Sequence, residues 1–65
     1  MNGTPMISRR EKRVLDLLMK GLTNEGISRE LGTSVNTVKY HLKRIYSKLG
    51  VRNRVEAIMK ISHII

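Results

Sequence analysis

From Val35 to Leu49 the apolar residues recur at the spacing of a helix wound about 100° per residue. Val35, Val38, Leu42, Ile45, Tyr46 and Leu49 fall on one stripe. The opposite face carries Asn36, Lys39, Tyr40, Lys43, Arg44 and Ser47, and the segment contains no carboxylate. Ser34 is placed to cap its start, and Gly50 stands where a left-handed residue would close it. A helix held to a core on one side, with cations, an amide and hydroxyls on the other, suits a polyanion.

The same periodicity predicts three further helices. Ser8, with Glu11 three residues on and Ile7 before it, fits a capping box. The helix behind it runs roughly over 9–20, carries Val14, Leu15, Leu17, Leu18 and Met19, and stops at Gly21. Thr23 is a second N-cap, before a short helix over 24–31 that turns Ile27 and Leu31 inward. Gly32 ends that helix, and Thr33-Ser34 leads straight into the next. Asn53 and Glu56 repeat the capping-box pattern ahead of the last helix. There Ala57, Ile58, Ile61, Ile64 and Ile65 share one face and Glu56, Lys60 and His63 the opposite one. Val55 and Met59 lie on an apolar shoulder between them. Residues 1–6 read as a flexible tail and residues 7–65 as one all-α domain of four helices.

Composition narrows the possibilities. With 65 residues there is room for a single small core, and without Phe or Trp it must be built from Ile, Leu, Val and Met. Cys is absent, and His41 and His63 are far apart with no matching acidic pair, so neither a metal site nor a cofactor is expected. No nucleophile–base set or phosphate loop is present, which argues against an enzyme. The balance of 13 Lys+Arg against 5 Asp+Glu gives a net charge of +8. Such a balance points first to nucleic acid. No apolar run is long enough to span a membrane and no signal-peptide pattern is present, so a cytoplasmic chain without membrane attachment is expected.

The second and third helices, joined by a short turn containing Gly32, make the helix-turn-helix arrangement. In that geometry the second helix of the pair enters the DNA major groove with its N-terminal part. Asn36, Lys39, Tyr40 and Lys43 lie along the outward face of its first turns, where base edges are met. Lys donates to guanine acceptors, Asn brackets adenine, and a tyrosine ring can contact a thymine methyl. Thr37, Arg44, Ser47 and Lys48 lie beside or beyond them, where phosphates pass. The helix starts at Thr23-Asn24 and at Ser34 add backbone N–H donors for phosphate.

Other readings of the same features are weaker. Basic amphipathic helices also bind calmodulin or membrane surfaces, but those helices are isolated and carry large aromatic anchors. A small helical adaptor for an acidic protein partner is the main alternative. Tyr46, on the apolar side, fits core packing with its hydroxyl reaching solvent. His41 suits helix packing as well as a phosphate, His63 is an exposed histidine, and Glu11 is a cap and electrostatic brace. Arg9, Arg10, Lys12 and Arg13 form a second basic cluster, most simply a solvated face.

The chain resembles the LuxR-type (GerE-like) helix-turn-helix domain from about Ile7 to Ile61. The resemblance is carried by Ser8-x-Arg10-Glu11, Gly21-Leu22-Thr23-Asn24, Ile27 with Leu31, and Thr37-Val38-Lys39-x-His41. Lys48-Leu49-Gly50-Val51 and Asn53-Arg54-x-Glu56-Ala57 complete it. It implies a four-helix domain of bacterial transcription regulators, with Asn36, Lys39, Tyr40 and Lys43 at base-reading and nearby backbone positions. It further implies a homodimer on a palindromic operator, paired through the fourth helix with Val55, Met59 and Ser62 as the seam, and RNA polymerase as a further partner. Members generally carry a sensory or phospho-receiver domain ahead of this module. The 65 residues leave no room for one, so an output domain or a stand-alone regulator is expected. The chain departs from the family at Glu25-Gly26-Ile27-Ser28, where Lys or Gln followed by Glu-Ile-Ala is usual. Gly26 within a helix costs about 0.5–1 kcal/mol relative to Ala.

Overall fold

Each predicted helix forms, and the N-caps form where the hydroxyls and Asn53 stand. The computed structural model describes residues 7–64, with side chains to His63. It contains α1 (Arg9–Met19), α2 (Asn24–Leu31), α3 (Val35–Leu49) and α4 (Arg54–Ile64), with no strand among the described residues. The tail expected over 1–6 and the inward faces of Ile64 and Ile65 lie outside what is described.

At the head of α1, Glu11 N–H donates to Ser8 Oγ at 3.1 Å and Ser8 N–H to Glu11 Oε1 at 2.9 Å, closing the capping box. Thr23 Oγ1 accepts from Gly26 N–H and Ser34 Oγ from Thr37 N–H, both at 3.1 Å. Each bond satisfies a donor that the first turn of a helix leaves without a partner. The box expected at α4 is only half made. Asn53 Oδ1 accepts from Glu56 N–H at 2.9 Å, but the Glu56 carboxylate takes the N–H of Arg52 at 2.8 Å instead of that of Asn53. Helix α1 also stops one residue short of expectation, with Lys20 as its C-cap.

Two glycines set the angles at which the helices meet. Gly32 and Gly50 adopt φ of 67° and 72°, a left-handed conformation that costs a residue with a Cβ about 1–2 kcal/mol. The residue after each then donates back five positions, Thr33 N–H to Ser28 O and Val51 N–H to Tyr46 O. These closures end α2 and α3 sharply, so that the turn into α3 needs only Gly32, Thr33 and Ser34.

The core is drawn from all four helices: Val14, Leu15, Leu17 and Leu18 from α1, Ile27 from α2, Val38, Leu42 and Ile45 from α3, and Ala57 from α4. Leu22, Leu31, Tyr46, Leu49, Val51, Ile58 and Ile61 pack half-buried around it. Helix α3 lies against both α1 and α2, and α4 closes over α1 and α3. The result presents α3 as a supported rod with one face left to solvent.

Candidate nucleic-acid interface

The outward face of α3 is open along its length. Asn36, Lys39, Tyr40, Lys43, Arg44 and Ser47 are all exposed, while Val38, Leu42 and Ile45 on the reverse side are buried. Tyr40 leaves 58 % of its surface in water, so its ring stands open beside the flanking amide and cations. Its orientation is constrained by neighbours one turn and one residue on. The Arg44 guanidinium lies 5.8 Å from the ring centroid, and the His41 ring meets it edge-on at the same separation. Arg44 Nη1 also approaches Tyr40 Oη at 3.5 Å. Among the described residues Lys39 and Lys43 enter no ion pair, so both ammonium groups remain for a ligand.

Behind this face sits a buried carboxylate. Glu11 is 3 % exposed, and besides the Ser8 N–H it accepts from Lys48 Nζ at 2.6 Å and Arg44 Nε at 3.2 Å. The Lys48 bond first, then the Ser8 N–H, outweigh burial and hold its carboxyl at about 2, far below the usual carboxylate range. Arg44 is shifted upward in turn, mainly by its bond to Glu11. The brace foreseen at Glu11 thus reaches across the fold, pinning the start of α1 to the C-terminal half of α3.

That network changes the standing of two expected phosphate contacts. Lys48, expected among the phosphate contacts, is largely covered, with 24 % of its side chain exposed and its ammonium against Glu11. Arg44 is half exposed and spends its Nε on Glu11, leaving the outer part of the guanidinium toward Tyr40 and solvent.

The remaining predicted contacts sit at helix starts. Thr23, Ser34 and Thr37 have their oxygens engaged in caps or in the 3.0 Å Ser34–Thr37 hydroxyl contact, all at or near the surface. A cap oxygen accepts the backbone N–H, and its own O–H can still donate. Asn24 is held by Arg54, which sequence reasoning missed: its Nη2 donates to Asn24 Oδ1 at 2.9 Å and its Nη1 to Leu22 O at 2.8 Å. Nothing in the spacing announces that contact, because it spans 30 residues and a cation opening a helix reads as a dipole mismatch. Tyr46 lies half-buried beside this corner, and burial pushes its hydroxyl up while Arg54 pulls the other way.

Two helices joined by a glycine-closed turn, the second anchored inside and cationic outside, define a helix-turn-helix domain. The described residues contain no metal-binding cluster and no helix long and apolar enough to cross a membrane. Residues 5–61 match the family described as bacterial regulatory proteins, luxR family. The chain belongs to that family, and it is a DNA-binding transcription-regulator domain, not an enzyme.

It is 47% identical to the probable transcriptional regulatory protein SgaR of Hyphomicrobium methylovorum, over 89% of this chain and 28% of that protein. It is 37% identical to the HTH-type transcriptional regulator MalT of Vibrio campbellii, over 95% of this chain and 7% of that protein. The crystal structure of the response regulator ChrA, from a heme-sensing two-component system, superposes with a TM-score of 0.86 at 42% identity. That match covers 95% of this chain and 31% of ChrA. The chain therefore spans under a third of the length of each of these relatives.

Proposed function

We propose that this domain recognises a specific sequence of double-stranded DNA in regulating bacterial transcription in the cytoplasm, with α3 in the major groove. The observation that carries the reading is the α3 face: six exposed donors and cations, no carboxylate, and a buried reverse side. Asn36, Lys39, Tyr40 and Lys43 take the base edges, where an amide, two ammonium groups and a ring supply distinct contacts. Thr23, Asn24, Ser34, Thr37 and Ser47 donate to phosphates, with Arg44 joining them through the part of its guanidinium not bound to Glu11. Lys48 adds charge behind this line more than a direct contact.

Helix α4 supplies the pairing surface. Val55 and Met59 are 62% and 66% exposed, and Ser62 is exposed on the same helix. Two apolar side chains per copy make a contact well below the roughly 1,200 Å² of a stable interface, so two copies join on DNA rather than free in solution. A palindromic operator follows from that two-fold pairing.

Selecting bound duplexes from a random pool tests the reading, with an enriched half-site expected in two inverted copies. On the selected duplex Lys39→Ala and Tyr40→Ala each reduce discrimination against a single mismatched base pair by about 1–3 kcal/mol, measured by competition binding. Equal losses on selected and random duplexes remove base reading from these residues. No enrichment at all removes the reading as a whole.

A further inference from the structure

Beside the base-reading face, a recess of about 440 Å³ opens where the start of α2, the middle of α3 and the start of α4 meet. Its rim carries Asn24, Lys39, Lys43, Ser47, Arg52 and Arg54, with no carboxylate among its lining residues. An apolar floor under converging donors is the usual build of a site for a small charged group. Resting on the proposed DNA reading, the geometry points to this recess as the seat of one backbone phosphodiester of the bound duplex, with Arg52 as its direct ligand and Arg54 as a positioning residue.

The two arginines divide the work by their existing bonds. Arg54 is spent on the protein, since its fork holds Leu22 O and Asn24 Oδ1 at 2.8 and 2.9 Å. By capturing the acceptor end of the Asn24 carboxamide it leaves the amide's NH2 end to donate, which is the polarity an anion requires. It also fixes the start of α4 against the start of α2, so the two rims of the recess keep their separation. Arg52 is nearly free: its side chain is 89% exposed and its pairing with Glu56 is long, at 3.9 Å. A surface pair of that kind is worth little and yields readily to a doubly bonded phosphate. Lys43 and Ser47, one turn apart on α3, close the third side.

Binding of the full chain to its selected duplex, titrated with salt, tests the assignment against Arg52→Ala, Asn24→Asp and the control Lys12→Ala. Lys12 lines a separate groove between α1 and α4 and removes the same charge as Arg52 does. Arg52→Ala is expected to weaken selected and random duplexes alike by about fivefold near physiological salt and to lower the salt slope by about 0.9. Asn24→Asp keeps the bond to Arg54, and so the thermal midpoint, yet turns a donor into an anion. Its loss on every duplex is expected to exceed that of Arg52→Ala. Ethylation of one phosphate should weaken the wild type and leave Arg52→Ala unaffected. If the wild type selects its duplex while Arg52→Ala and Asn24→Asp bind no worse than Lys12→Ala, the assignment is overturned and the DNA reading stands. If the wild type selects no duplex, the DNA reading itself has failed.

Discussion

Glu11 is a buried anion in a chain of net charge +8, and the cations that reach it come from 33 and 37 positions downstream. The carboxylate is buried, but Arg44 and Lys48 keep 51% and 24% of their side chains exposed, so removing its charge leaves cations that water can still reach. Glu11→Gln should therefore lose about 1–3 kcal/mol at neutral pH, the worth of its charge-assisted hydrogen bonds, measured by urea unfolding. The pH dependence follows from the same bonds. The Glu11 carboxyl is lowered in the fold, so its contribution is complete above the ordinary value of 4.5 and disappears as the pH falls from there toward about 2. Wild-type stability should fall across that window, and the Glu11→Gln variant should show a flatter acid limb. Half of this residue was legible in the sequence. The capping box lies within four consecutive residues and has a fixed spacing, whereas the bonds to Arg44 and Lys48 depend on how α1 and α3 pack, which no local pattern encodes.

Among the elements, α2 is the weakest by composition, with Gly26 inside an eight-residue helix. A Cβ at that position would meet Leu22 Cβ and Cγ and Thr23 Oγ1 at 3.5 Å, an ordinary contact distance. The glycine is therefore not required by packing, and its cost is conformational. Gly26→Ala should raise stability by about 0.5–1 kcal/mol, read as a higher urea midpoint at unchanged slope. From the same helix Glu30 reaches α1, its Oε1 standing 3.9 Å from Arg13 Nη2. Helix positions were readable because apolar period, hydroxyl caps and closing glycines agree at α1, α2 and α3. At α4 they agreed less well, since Glu56 sits where it can take either of two successive N–H groups and chose the one before Asn53. The face of α3 was readable because burial there follows the period closely.

For the molecule as a whole, the proposed function divides by surface: α3 and its neighbouring recess would face DNA, and the Val55–Met59 shoulder a second copy. Val55→Glu should reduce two copies per palindromic duplex to one and leave affinity for a single half-site within about twofold, because Val55 is exposed and lies outside the recess lining. Sedimentation with labelled duplex measures the stoichiometry, and two copies bound by the variant would place the seam elsewhere. The recess was not legible in the sequence, since Arg54 reaches Leu22 O and Asn24 Oδ1 across 32 and 30 residues, a contact that comes only with the tertiary fold. One compositional fact now takes on a practical meaning. The chain has two tyrosines and no tryptophan, and both rings sit on α3, Tyr40 outside and Tyr46 at the edge of the recess. Ultraviolet emission from the folded chain thus originates wholly on α3, and the protein carries its own optical probe of whatever that helix touches.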